Sequence, residues 1–88
     1  MIDAYRLAQH AVVDLKAAVL TLLEQAGDRG LRNVDIGKTL GIYSGHVGHE
    51  GHIPRTLLEM LAHEGIARQD KESQLWYHVR HGGQIPSR

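Results

Sequence analysis

A glycine–histidine repeat, "GHVGHEGH" at residues 45–52, is the stretch whose residue types are best suited to chemistry. Its histidines, His46, His49 and His52, recur every third residue. Imidazole is a good ligand for zinc, copper or nickel, so one interpretation is a metal site. On a helix this spacing spreads the three side chains too widely for one metal ion, and a glycine-rich loop gives ligands little support. We therefore expect no metal and no other cofactor.

Two other interpretations of the repeat remain open. In the first, glycine is needed for tight turns and histidine is merely tolerated, so the stretch is a spacer. In the second, the stretch contacts nucleic acid, because glycines let backbone N–H groups approach phosphates and histidines donate hydrogen bonds to them. The elements on either side of the repeat decide between these readings.

The length of 88 residues predicts one small domain, and the sequence contains no cysteine. Disulfides and thiolate zinc sites are therefore excluded, and nothing points to secretion. No apolar run approaches the roughly 18–20 residues needed to cross a membrane. The sequence also has no nucleophile motif, phosphate loop or paired carboxylates in a glycine-bounded site. We expect a cytoplasmic protein that is not an enzyme.

The charge distribution argues against strong non-specific binding to nucleic acid. Ten basic and ten acidic residues give a formal net charge of zero, whereas strong electrostatic binders usually carry a clear basic excess. The two parts of the chain differ, however, since residues 1–67 are slightly acidic and residues 68–88 slightly basic. Any nucleic-acid contact would therefore rest on particular side chains.

Residues 2–26 have no proline or glycine and predict one long helix. Apolar residues follow one another at alternating spacings of three and four, which is a heptad seam. The seam predicts a homodimer through this helix, and the alternative is a single broad face that packs only on the protein's own core. The expected dimer contacts are Tyr5, Ala8, Val12, Leu15 and Val19.

The middle of the chain predicts two shorter helices. Asn33 is a good N-cap, and "NVDIGKTL" predicts a helix that Gly41 ends. "IPRTLLEMLAHEG" predicts a stronger helix over residues 51–64, because Pro54 is tolerated only in a first turn. Gly65 would end it. Its expected buried residues are Ile53, Leu57, Leu58 and Leu61.

The last part of the chain predicts two strands joined by a tight turn. "IARQD" and "QLWYHVR" are the strands, and "KES" is the turn. Trp76 is expected in the core or at a dimer contact rather than as a platform for stacking bases. Residues 81–88 have glycine, proline and no pattern, so we expect a disordered tail after a domain of residues 1–80.

This order of helix, short extended piece, helix, turn, helix and hairpin resembles the winged helix-turn-helix domain of bacterial transcription regulators. "VDIGKTLGI" is similar to the first helix and turn of that motif, and "RTLLEMLAHEGIARQD" to its recognition helix running into the first wing strand. The resemblance implies an α+β, mostly α fold. It has three helices, a two- or three-stranded wing and, here, a long N-terminal helix.

The chain departs from that motif between its two helices. The span from Gly41 to Gly65 is longer than in most bacterial winged helices, and the surplus falls on the glycine–histidine repeat. The repeat is thus an insertion next to the place where DNA would lie, which favours the nucleic-acid interpretation.

The resemblance implies a small dimeric regulator that contacts double-stranded DNA through helix 51–64, loop 44–52 and wing 68–76. The alternative is a winged helix used for protein contact, or a DNA-recognition subunit of a larger restriction–modification-type system. The expected DNA contacts are Arg32, Asn33, Lys38, Ser44, His46, His49, His52, Arg55, Thr56, Arg68, Lys71, Ser73 and Gln74.

Overall fold

The structure is a computed structural model that describes residues 3–44 and 50–79. The described chain is mostly helical with one small antiparallel sheet, so the expected α+β class is confirmed at this level. The elements are α1 (Ala4–Ala26), a 3-10 turn (Gly27–Arg29), α2 (Asn33–Leu40), α3 (His52–His63), β1 (Ala67–Gln69) and β2 (Trp76–His78). The tail predicted for residues 81–88 lies outside the described residues.

Helix α1 begins and ends where its sequence provides caps. The carboxylate of Asp3 accepts a hydrogen bond from the backbone N–H of Arg6 at 3.3 Å, which satisfies one of the free donors of the first turn. The helix ends at Gly27, whose φ of +57° is open to glycine at little cost. Its predicted C-terminal end is therefore confirmed. None of the described helices is long and apolar enough to span a membrane.

The sheet is a hairpin with a third extended residue beside it. Strands β1 and β2 pair in an antiparallel register that places Gln69 opposite Trp76. Leu31 forms an antiparallel bridge to Trp76 on the other side, with N···O distances of 3.0 and 2.7 Å. The segment between α1 and α2 is thereby fixed to the hairpin.

The core lies where the C-terminal half of α1 meets α2, α3 and the hairpin. From α1 only Val19, Leu23 and Ala26 are buried, although the apolar stripe continues towards its N-terminus. Trp76 is 6% exposed, which confirms its predicted place in the core. The core cluster is made of Val19, Leu23, Ile36, Leu57, Leu58, Leu61, Ala67 and Trp76.

Two predictions about the helices of the middle segment are wrong. Ile53 is 42% exposed, because the buried stripe of α3 starts at Pro54 and continues through Leu57 and Leu58 at helical spacing. Asn33 is the first residue of α2, and the N-cap position belongs to Arg32. The backbone N–H of Arg32 donates to the Asp35 carboxylate at 3.3 Å, and this bond replaces the expected asparagine cap.

The predicted dimer seam is divided by the core. Val19 is fully buried within its own chain and Leu15 packs against the same cluster, so Val19 has no surface left for a second chain. Tyr5 is 74% exposed and Ala8 is also exposed. Val12, the next seam residue, is half-buried. We call residues 4–13 the open half of α1.

Candidate nucleic-acid interface

A recess of about 380 Å³ lies where the start of α2, the exposed side of α3 and the hairpin come together. It is open to solvent and its walls are mostly polar. Three short segments that are distant in sequence therefore present their side chains to one concave surface. The residues that line it are Arg32, Asn33, Val34, Tyr43, Arg55, Glu59, Gln69, Gln74 and Trp76.

Helix α3 supplies Arg55 and Glu59 to the recess. The two residues are one turn apart and exposed, and Leu57 and Leu58 between them are buried in the core. None of the ion pairs between described residues involves Arg55. Its guanidinium therefore stands on the surface with five donors that can bind an external acceptor.

The wall on the α2 side is built by close packing around Gly51. The side-chain amide of Asn33 donates to the carbonyl of Gly51 at 3.1 Å. A Cβ at Gly51 would lie 2.6 Å from Asn33 Nδ2 and 2.7 Å from Tyr43 Cε1, so only glycine fits there. The backbone N–H of Gly51 donates to the Ser44 carbonyl at 3.0 Å. This bond brings together the two ends of the segment that contains the glycine–histidine repeat.

One polar atom of this wall is buried without a partner. Asn33 Oδ1 has no hydrogen-bond donor within the described part of the chain, while Nδ2 of the same amide is used by Gly51. A buried acceptor that stays unpaired costs free energy comparable to a lost hydrogen bond. Asn33 therefore holds the wall in place through one half of its amide and leaves the other half unused.

The hairpin turn is held by its own side chains. The Asp70 carboxylate accepts from the backbone N–H of Ser73 at 2.8 Å. Hydrogen bonds from the side chain and backbone of Ser73, helped by the charge of Arg68, lower the pKa of Asp70 below its ordinary value. Gln74 has a φ of +68°, and its side-chain amide donates to the Lys71 carbonyl at 2.8 Å. Gln69 donates to Gln74 Oε1 at 3.3 Å, which connects the turn to the recess.

Of the residues that the sequence suggests for DNA contact, the structure brings Arg32, Asn33, Arg55 and Gln74 together around the recess. Arg32 also lies 3.6 Å from the Asp35 carboxylate, so part of its charge is compensated. Other suggested residues are exposed without lining the recess. These are Lys38, Ser44, His52, Thr56, Lys71 and Ser73.

Arg68 does not share that surface, contrary to the expectation of a single basic face. Gln69 and Trp76 face the recess, and side chains alternate along a strand, so Arg68 and its partner Tyr77 lie on the opposite side of the hairpin. The guanidinium carbon of Arg68 is 4.6 Å from the centre of the Tyr77 ring, a cation–π contact. Arg68 therefore stabilises the outer face of the hairpin.

The predictions for His46 and His49 lie outside the described residues. His52 is described and is the exposed first residue of α3. Within residues 3–44 and 50–79, no three histidines, aspartates or glutamates are grouped so that they could hold a metal ion.

Sequence reasoning did not assign a site role to five residues that line the recess, which are Val34, Tyr43, Glu59, Gln69 and Trp76. Gln69 could have been found from strand alternation, because it shares a face with the buried Trp76 whereas Arg68 does not. Glu59 could have been found from its position one helical turn after Arg55. The contact of Tyr43 with Gly37 and Gly51 has no signal in local sequence.

Comparison of the chain with protein-family models, with curated proteins and with solved structures found no match.

Proposed function

We propose that this protein is a winged helix-turn-helix DNA-binding protein that contacts duplex DNA through α3, the recess and the hairpin turn. The observation that carries the proposal is the exposed Arg55 on the early turns of α3, beside a polar recess bounded by α2 and the hairpin. The element order and the bridge between Leu31 and Trp76 support the winged-helix assignment. In that fold, the N-terminal residues of the second motif helix meet base edges in the major groove.

The side chains around the recess suit base reading more than phosphate neutralisation. Arg55 would donate two parallel hydrogen bonds to a guanine, and Glu59 would accept from the amino group of a cytosine one helical turn away. Gln69 and Gln74 offer both donors and acceptors at the hairpin side. Phosphate contacts would come from Lys38 on α2 and from the residues of the turn.

This division of roles accounts for the neutral charge of the chain. Affinity from counterion release requires several phosphates to be neutralised, and ten basic residues are here matched by ten acidic ones. We therefore expect weak binding to random duplex DNA, a shallow salt dependence and a comparatively large preference for one sequence.

Binding to duplex DNA, measured by fluorescence anisotropy after selection of a preferred sequence, tests the proposal. Replacing Arg55→Ala should cost about 1–3 kcal/mol and relax the preference at one base pair. The matched control is Arg6→Ala, which removes the same charge from the exposed N-terminal part of α1. Equal affinities of the two variants for the preferred duplex would contradict the proposal.

Lys71 on the hairpin turn should behave differently from Arg55. It is exposed and would meet a phosphate, so Lys71→Ala should weaken binding to all sequences alike and reduce the salt slope by about one. An unchanged salt slope would show that the turn does not contact the backbone.

The glycine–histidine repeat adds a pH dependence to the proposal. A protonated imidazole adds positive charge at the phosphates, so binding should strengthen as the pH falls from about 7.5 to 6. A variant with alanine at His46, His49 and His52 should lose this dependence. If that variant binds like the original protein at both pH values, the repeat is a spacer.

A protein-contact module, or a DNA-recognition subunit of a larger DNA-acting system, is the second candidate. The zero net charge and the exposed apolar residues of the open half of α1 favour it. Absence of any duplex binding at low salt would favour this candidate over the first.

A further inference from the structure

Helix α3 is attached to α2 through the carbonyl oxygen of Gly51. Gly51 is the buried N-cap residue of α3, and its carbonyl accepts a hydrogen bond from each of the two helices. The backbone N–H of Arg55 donates one at 3.1 Å, and the side-chain amide of Asn33 donates the other, also at 3.1 Å. A carbonyl oxygen has two lone pairs, so it accepts both bonds at once. Asn33 on α2 and Arg55 on α3 are therefore linked through a single atom.

A second contact between α2 and α3 lies one helical turn further along α2. Gly37 follows Asn33 by four residues, so both lie on the same face of α2. A Cβ at Gly37 would lie 2.9 Å from Pro54 Cγ and 2.8 Å from Tyr43 Cδ1, so the backbone of α2 packs directly on the first turn of α3. Two contacts at different points of α2 fix the direction of α3 as well as its position.

We propose that Asn33 is a positioning residue for Arg55: it holds the first turn of α3 through Gly51 and makes no base contact of its own. This inference rests on the proposed function, because the position of Arg55 matters only if Arg55 reads a base. It differs from the sequence-based expectation that Asn33 contacts DNA.

The side-chain amide of Asn33 is already committed within the protein. Asparagine reads adenine with both ends of its amide, since it accepts from N6 and donates to N7. Here Nδ2 donates to the Gly51 carbonyl, and Oδ1 is buried. Asn33 is therefore poorly placed to read a base, although it lines the recess.

Arg55 needs support at this end of α3 because the geometry of base recognition is strict. Two parallel hydrogen bonds to a guanine require a fixed approach of the guanidinium, and recognition groups must be held to within about 0.5 Å. The first N–H groups of a helix have no partners within the helix, so its end frays. The side chain of Asp3 caps α1, whereas the N-cap of α3 is a glycine. The bond from Asn33 supplies a fixed point where the N-cap residue itself has no side chain.

A double-mutant cycle on DNA affinity tests the proposal. Asn33→Ala, Arg55→Ala and the double variant are compared on the preferred duplex and on a duplex changed at the base pair that Arg55 reads. Asn33→Ala should reduce the preference between the two duplexes by roughly 2- to 10-fold, about the effect of one neutral hydrogen bond. Partial unfolding would lower both affinities equally and leave this preference unchanged. In the Arg55→Ala background, Asn33→Ala should alter the affinity for the preferred duplex by less than about twofold.

The matched control for the cycle is Lys71→Ala, made in the same two backgrounds. A phosphate contact acts alike on all sequences, so Lys71→Ala should weaken binding equally with and without Arg55. If Asn33→Ala also has equal effects in both backgrounds, or leaves the preference unchanged, this inference is overturned and the proposed function stands. If Arg55→Ala binds both duplexes like the unmodified protein, the proposed function is contradicted and the inference falls with it.

Amide hydrogen exchange tests the attachment in the absence of DNA, because it reports local opening of a helix. Asn33→Ala should speed exchange at the Arg55 amide more than at Leu58, which lies in the core. Thr39→Ala, an exposed change on α2, is the control and should leave the Arg55 rate unaltered. An unaltered Arg55 rate in Asn33→Ala, or equal acceleration at Arg55 and Leu58, would overturn the positioning role.

Discussion

The recess and the open half of α1 are two exposed surfaces of the described chain, and they differ in almost every respect. The recess is polar, concave and assembled from three segments that are far apart in sequence. The open half is apolar, convex and made by one helix. Donors and acceptors at fixed positions suit the reading of a base edge, whereas an apolar stripe suits another helix. The two surfaces therefore suit different kinds of contact.

Helix α1 is buried in the core at its C-terminal half and exposed at its N-terminal half. Two leucines, one in each half, test this difference. Leu23 is fully buried, so Leu23→Ala should lower the free energy of unfolding by about 2–5 kcal/mol. Leu7 is 56% exposed, so Leu7→Ala should stay within about 0.5 kcal/mol in dilute solution. Urea denaturation followed by circular dichroism measures both. Similar losses for the two variants would show that the open half is not open.

The wall of the recess depends on the close packing of Asn33 and Tyr43 against Gly51. Gly41, which lacks such packing, provides a matched control. Gly51→Ala meets both a φ of +84° and contacts below 3 Å, whereas Gly41→Ala has a φ of +73° and open space around its Cβ. Backbone strain of about 1–2 kcal/mol applies to both variants. Only Gly51→Ala should also displace Asn33 and Tyr43, and therefore reduce DNA affinity in the anisotropy measurement. Equal affinity of both variants for DNA would show that the recess does not contribute to DNA binding.

The smallest expected effect is that of acidic pH on the hairpin turn at the edge of the recess. The Ser73 hydrogen bonds lower the pKa of Asp70. Their contribution to the stability of the turn is therefore complete above pH 3.8 and is lost as the pH falls through the lowered pKa. The Ser73 amide resonance, followed by NMR from neutral to acidic pH, should shift in that acidic range. Asp70→Asn should abolish this titration, and a shift centred above pH 3.8 would contradict the assignment.

The elements themselves were predictable because local signals and packing agree. Gly27, Gly41 and Gly65 all have positive φ at helix ends, as the positions of glycine in the sequence suggested. The α3 stripe was misplaced by one residue at Ile53, since a proline in the first turn hides which neighbour faces inward.

The candidate site was predictable only in part. Exposed polar residues of α3 follow from helical periodicity, which is how Arg55 was identified. The side of the hairpin that faces the recess depends on which strand residue pairs with Trp76, and this register is not encoded in a short polar turn. For this reason Arg68 was placed on the wrong face and Gln69 was overlooked.

The division of the seam was also hidden from sequence. The heptad spacing is the same from Tyr5 to Ala26, so the pattern cannot show where the chain's own core ends. The half-buried Leu15 marks the change, because α2, α3 and the hairpin extend no further along α1. A repeat that is uniform in sequence is therefore buried in the core over one half of the helix and largely exposed over the other.

The most direct test of the two-surface account is a ¹⁵N NMR titration of the protein with a preferred DNA duplex at low salt. The account predicts that amide shifts concentrate at the recess, around Arg55, Gln69 and Gln74, while the resonances of Tyr5, Ala8 and Val12 do not respond to DNA. Shifts that concentrate on the open half of α1 when DNA is added, with the recess unchanged, would contradict the account.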